Sequence, residues 1–230
     1  MSTQEKLEQK LKIKFEDKDL LRSALVHRSY LNEHKTFALD HNERLEFLGD
    51  AVLELIVTEY LFRTYPNPEG ELTNWRASLV NFKMLAARAE DLGLYPLLSM
   101  SKGEARDQSP KARSYIMANA YEALIGAIYL DQGLEVTREF IGWHLITEFQ
   151  HILDKKLYED PKSTFQEKAQ ELVNVTPRYK IIKEEGPDHN KKFTVGVYLE
   201  KELVATGNGS SKQEAELDAA AAALEAKGWT

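Results

Sequence analysis

Glu43, Glu46 and Asp50 stand in the stretch NERLEFLGD, among apolar residues spaced as on a helix. At 100° per residue the three acids fall within about 60° of one another around the axis. Glu46 and Asp50 are one turn apart, roughly 6 Å of rise, so their carboxylates can share one cation. Glu43 is about 10 Å from Asp50 along the axis, which makes it a neighbour of such an ion rather than a co-ligand with Asp50. A second stretch, ANAYEALIGAIYLDQG, offers Asn119 and Glu122 at i and i+3, flanked by Ile116, Ala118, Leu124 and Ile125. Oxygen donors from two helices, with no His or Cys nearby, describe a hard-cation site suited to Mg²⁺ or Mn²⁺; zinc would want nitrogen or sulfur. Spacing alone leaves another reading open, in which these acids are solvated or paired with Arg44 and Arg76. Glu54, one turn beyond Asp50 on the same stripe, is read as structural.

The elements that must hold these residues are helices. Leu45, Leu48, Val52, Leu55, Ile56 and Tyr60 keep helical spacing through ALDHNERLEFLGDAVLELIVTEYLFRTY. TNWRASLVNFKMLAARAEDLGL follows, with Thr73 as the expected N-cap and Gly93 as the stop. SYIMANAYEALIGAIYLDQG repeats the pattern up to Gly133, and LEVTREFIGWHLITEFQHILDKK is a further amphipathic helix. RTYPNPEGEL and SMSKGEARDQSPKA read as loops rich in helix breakers. Around LYEDPKS the pattern changes. KSTFQEKAQELVNV is helical, RYKIIKEE, KFTVGVYLE and LVATGNG are strand-like, GPDHNK is a turn, and SSKQEAELDAAAAALEAK closes as a helix capped by Ser210 or Ser211. Three strands in succession without crossover helices imply an antiparallel sheet with both helices on one face. The expected organisation is an all-α domain over 1–155, a linker over 156–160, and a small α+β domain of α-β-β-β-α order over 161–230.

The chain has 230 residues, enough for one or two domains, and carries a net charge of −7. That sign argues against a simple basic sleeve for nucleic acid, yet it fits an acidic site working on metal ions and allows local basic patches. There is no cysteine, which removes disulfides and thiolate metal sites and suits a reducing cytosol. The first 20 residues are charged throughout and form no secretory signal, and no apolar run approaches the ~18 residues of a membrane span. A cytoplasmic protein with no membrane and no small-molecule cofactor is expected.

NERLEFLGD resembles the signature of the ribonuclease III family almost letter for letter. SALVHRSYLNE, GELTNWRASLV and ANAYEALIGAIYLDQG are similar to further segments of that family, in the same order and spacing. From Pro161 onward the chain resembles the family's double-stranded RNA-binding domain. The resemblance spans roughly residues 5 to 227. It implies an endoribonuclease that cuts double-stranded RNA with Mg²⁺ (Mn²⁺ substituting), acts as a symmetric homodimer, leaves 5′-phosphates, 3′-hydroxyls and short 3′ overhangs, and processes structured precursors. It places Glu46, Asp50, Asn119 and Glu122 at metal-binding positions, with Asp50 and Glu122 as catalytic residues. It also places Glu43 and Glu69 near the scissile strand and Phe47 at the partner subunit. Position 119 is Asn where many members have Asp, so the local charge falls by one and with it the expected ion affinity.

In the resembled RNA-binding fold, Gln166 and Glu167 meet one minor groove, His189 the next, and Lys212 the phosphates between them at a helix N-terminus. The module is poor in positive charge: from residue 160 onward it has 10 Lys and Arg against 12 Asp and Glu, a net of −2. Weak binding with a shallow salt dependence is expected. His27 and Arg28 could steady either RNA or helix packing, and Lys102 could meet a phosphate. Trp75, Trp143 and Trp229 are read as packing residues, since a duplex keeps its bases stacked.

Overall fold

A computed structural model of the chain describes residues 3–106, 109–187 and 191–229. The chain divides into two compact units, Met1–Tyr158 and Glu159–Thr230. Tyr158, which the sequence places in a linker, packs its ring edge-on against Trp75, with 6.0 Å between centroids, and so belongs to the first unit.

The first unit is helical among its described residues. It runs α1 (Thr3–Leu11), α2 (Lys18–Ala24), α3 (Arg28–Glu33), α4 (Glu43–Thr64), α5 (Glu69–Val80), α6 (Phe82–Leu92), α7 (Lys102–Arg106), α8 (Pro110–His144) and α9 (Phe149–Asp154). α4 and α8 form its centre and pack together along their length. Leu53, Ile56, Val57 and Leu61 of α4 and Tyr121, Leu124, Ile125 and Ile128 of α8 are fully or almost fully buried. Each such aliphatic side chain contributes about 1.5–3 kcal/mol on leaving water. α2 and α6 cover other faces of α8.

Two sequence expectations are corrected here. Thr73 lies inside α5 and caps nothing. The cap in this region is Asn81, whose Oδ1 accepts from the backbone N–H of Lys83 and Met84 at 3.1 and 3.0 Å and starts α6. One continuous helical period across this stretch hides the break, because no Gly or Pro marks it. The supposed loop over 99–112 contains α7 and the first turn of α8, where Ser109 is the N-cap and Pro110 occupies the first helical position. The break expected at Gly133 is present: that residue has φ 78° and ψ −179°, so α8 is two helical segments that meet at a kink there, the second running to His144. Gly93, at φ 69°, ends α6 as expected.

The second unit runs α10 (Pro161–Val173), β1 (Arg178–Glu185), β2 (Lys192–Leu199), β3 (Glu202–Gly209) and α11 (Lys212–Lys227). The strands form an antiparallel sheet in the order β1-β2-β3, with Ile181 opposite Val195 and Val197 opposite Ala205. Val197 and Leu199 face Phe165 and Ala169 of α10 and Ala219, Ala220 and Ala223 of α11, so both helices share one side of the sheet. The alanine run has a steric cause: a Cβ on Gly207 of β3 would overlap the backbone nitrogen of Ala219, so helix and strand backbones touch. Ser211 caps α11 by accepting from the Glu214 N–H at 3.2 Å, while the Glu214 carboxylate accepts from the Ser210 N–H at 3.0 Å.

Candidate active site

The start of α4 is fixed before any acid is placed. Asn42 is 3% exposed; its N–H donates to the Val26 carbonyl at 2.8 Å, and its own carbonyl accepts from the Glu46 N–H at 2.9 Å. From that anchor α4 presents Glu43, Glu46 and Asp50 successively, and α8 presents Asn119 and Glu122 opposite them. The Asn119 side chain of α8 lies close enough to the Glu46 carboxyl of α4 to act on it. Sequence spacing singled out the acids but not Asn42, whose side-chain amide donates to the Ala24 carbonyl at 3.4 Å.

Electrostatics tie the group together. Burial pushes the Glu122 carboxyl up to about 8, and the charges of Asp50 and Glu46 push the same way. Glu46 is raised as well, first by burial and then by Glu43; the nearby Asn119 amide opposes the rise and Asp50 adds to it. No cationic side chain enters either balance. The neighbouring bases are engaged elsewhere: Arg28 pairs with Glu43 at 3.4 Å and Arg76 with Glu54 at 2.9 Å. Of the two arginines offered as partners by the sequence, Arg76 pairs with Glu54, the residue read as structural, and donates to the Thr58 hydroxyl at 3.1 Å. Among the described residues, no group of three His, Cys, Asp and Glu side chains stands closed enough to cage an ion. Like-charged carboxylates have no reason to close on an empty point. The donors are nonetheless all oxygen, half-buried or exposed, and unneutralised, which fits a hard divalent cation.

A second feature escaped the sequence reading. Gly49 of α4 and Gly126 of α8 sit where the two helices touch. A Cβ on Gly49 would overlap the carbonyl oxygen of Glu122 and come within 2.9 Å of the Gly126 nitrogen. A Cβ on Gly126 would overlap the carbonyl oxygen of Leu45 and come within 3.2 Å of the Gly49 nitrogen. A glycine inside a helical apolar run was the available signal.

A family model described as Ribonuclease-III-like matches residues 17–149, and one described as double-stranded RNA binding motif matches residues 161–227. The chain belongs to the ribonuclease III family. The Ribonuclease 3 of Pelotomaculum thermopropionicum is 46% identical over 95% of this chain and 90% of its own length. That of a Nitratiruptor species is 43% identical over 98% and 97%. The crystallised nuclease domain of ribonuclease III from Campylobacter jejuni is 42% identical, with a TM-score of 0.57, and is matched over 64% of this chain and 98% of that one. As a ribonuclease III, the chain hydrolyses phosphodiester bonds in double-stranded RNA with divalent-metal assistance and leaves 5′-phosphate and 3′-hydroxyl ends with short 3′ overhangs, in the processing of structured precursors.

The other residues picked from the sequence are spread over both units. Glu43 sits at the rim of the acid group, held by Arg28 and with His41 Nδ1 at 3.8 Å. Glu69 opens α5 on the surface and lines a hollow with Thr58, Phe62 and Arg76. Thr58 is roughly 12 Å along α4 from Asp50, so Glu69 is not drawn into the acid group. Phe47 is 82% exposed. His27 caps α3 through its Nδ1, which accepts from the Ser29 N–H at 3.3 Å, a packing role. Arg28 stays on the surface with Glu43, and Lys102 is the first residue of α7, its N–H donating to the Glu33 carboxylate. Trp75 packs among Tyr65, Phe149 and Tyr158, Trp143 against Phe140, and Trp229 stacks on Phe165, as expected of packing residues. In the second unit Gln166 and Glu167 are exposed side by side on α10. Lys212 is exposed at the start of α11, its ammonium 5.9 Å from the Phe193 ring. His189 lies outside the described residues.

Proposed function

We propose that Glu46, Asp50, Asn119 and Glu122 jointly hold Mg²⁺, with Mn²⁺ as a substitute, and that Asp50 and Glu122 are the catalytic residues of duplex-RNA cleavage. The observation that carries this reading is the mutual electrostatic strain of Glu46 and Glu122 across two helices, with no protein cation to relieve it. A divalent cation held by these residues would supply acidification of a water and charge neutralisation at the phosphate. The chain's own groups do the rest. Glu122, whose carboxyl is pushed up by burial and by the charges of Asp50 and Glu46, would serve as a ligand in its ionised form. Its carboxylate and that of Asp50 accept hydrogen bonds from the attacking water and orient it in line. Asn119 contributes an amide oxygen, which ligates without adding charge. Glu43 and Glu69 steady the scissile strand.

The second unit positions the duplex by shape, through Gln166 and Glu167 on α10, His189 between β1 and β2, and Lys212 at the start of α11. The working form is a homodimer, with Phe47 entering the partner subunit. Its support is the 82% exposure of that ring and the C. jejuni nuclease domain, which is described with a region involved in dimer formation. The site of action is the cytoplasm, a reducing compartment that suits a chain without cysteine.

The test is incubation with a long RNA duplex in Mg²⁺ and in EDTA, for the parent chain and for Glu122→Gln. Short products of fixed size only with cation and with Glu122 intact are expected. Equal cleavage by Glu122→Gln would overturn the site assignment.

A further inference from the structure

We propose that Gly126 and Gly49 are positioning residues of the active site. Their mutual contact sets the distance between α4 and α8, and so the span over which Glu46, Asp50, Asn119 and Glu122 meet one cation. The inference rests on the reading of those four residues as the ligand set.

The contact is reciprocal and coincides with the acids. The carbonyl that a Gly49 side chain would strike belongs to Glu122, and Gly49 immediately precedes Asp50. The carbonyl that a Gly126 side chain would strike belongs to Leu45, immediately before Glu46. Each obstructing atom is backbone, which cannot rotate away as a flexible side chain would. A methyl group at either position therefore has to be accommodated by separating the helices locally. The side chains of the two helices face one another across this same contact, Asn119 and Glu122 of α8 being near enough to Glu46 and Asp50 of α4 to act on them electrostatically. Cation–oxygen ligation is confined to about 2.0–2.6 Å, so an ångström of separation breaks the shared site while leaving each helix intact.

Other glycines in the fold give the control. Gly142 lies in the helical segment beyond Gly133, and a Cβ there would meet nothing within 4 Å. Gly142→Ala is the same chemical change without the clash. Mn²⁺ binding is measured by electron paramagnetic resonance on the full-length parent, Gly126→Ala, Gly142→Ala and Glu122→Gln, alongside thermal melting and duplex binding in EDTA. For Gly126→Ala that melts cooperatively, Mn²⁺ affinity is expected to fall by about tenfold or more, with EDTA duplex binding unchanged. Gly142→Ala is expected to keep the parental Mn²⁺ affinity. Parental affinity in folded Gly126→Ala, together with loss in Glu122→Gln, overturns the positioning role and leaves the ligand assignment standing. Parental affinity in Glu122→Gln overturns the ligand assignment itself.

Should Gly126→Ala not fold, amide hydrogen exchange on the parent decides. If the glycine contact holds the helices, exchange across residues 45–49 and 122–126 is the same with and without Mg²⁺. Marked slowing on adding Mg²⁺ would show that the cation, not the contact, sets the spacing, and would overturn the proposal.

Discussion

A single carboxyl, that of Glu122, carries an unusual amount of information. Half-buried beside Asp50 and Glu46, it is pushed up from its ordinary 4.5 to about 8 by burial and by those two charges. A carboxyl raised on folding holds more protons folded than unfolded, so its contribution to stability is present below about 4.5 and lost as pH rises towards 8. Thermal melts in EDTA of the parent and of Glu122→Gln should therefore lie close together at pH 5 and diverge by pH 8, with the amide variant melting higher. A parent that melts as high as Glu122→Gln at pH 8 contradicts the strain. Activity should move the other way, with cleavage by Glu122→Gln reduced by about 100-fold or more. Most of this was legible at the level of residue types, because acids at i and i+4 and a partner pair at i and i+3 define two faces whatever the tertiary structure. Asn42 and Gly126 were not legible. Their roles depend on which backbone atoms lie opposite them, and no periodicity encodes that.

At the scale of elements, apolar period was a reliable guide wherever one helix or strand stood alone, as with α4 and all three strands. It failed at α5 and α6. There the apolar pattern runs on through a turn whose only marker is Asn81, a cap that reads equally well as an ordinary helix residue. It held at Gly133, whose positive φ breaks the helix where the stop was expected before the next helical segment begins. The second unit is built on few large side chains, since its α11 face is mostly alanine. Phe165, fully buried and stacked on Trp229 at 5.4 Å, therefore bears a large share of that core. Phe165→Ala is expected to destabilise this unit by about 3–5 kcal/mol. In a urea titration followed by circular dichroism, the full-length variant should show an early transition for this unit ahead of the remaining helical signal. An unchanged urea profile would contradict that share.

For the whole molecule, charge and function pull in opposite directions. A chain of net −7 acts on a polyanion, and its RNA-binding unit carries −2. The exposed Lys212 is one of few bases on the proposed groove-facing side, and Lys162 is committed to Glu216 at 2.6 Å. Duplex binding should accordingly release few counterions. A plot of log affinity against log salt is expected to have a slope of magnitude about 3 or less; a slope of twice that would reveal a basic surface that the composition does not show. The division of labour follows from this. On the proposed reading, the second unit contributes shape recognition, and a cation held by the first unit's carboxylates offsets their repulsion towards the phosphate.

That offset is the central claim, and anomalous diffraction from crystals of the full-length chain grown in Mn²⁺ tests it most directly. The account predicts an anomalous peak bounded by the side-chain oxygens of Glu46, Asp50, Asn119 and Glu122. Manganese bound elsewhere, with those four side chains pointing apart and no peak among them, would contradict it.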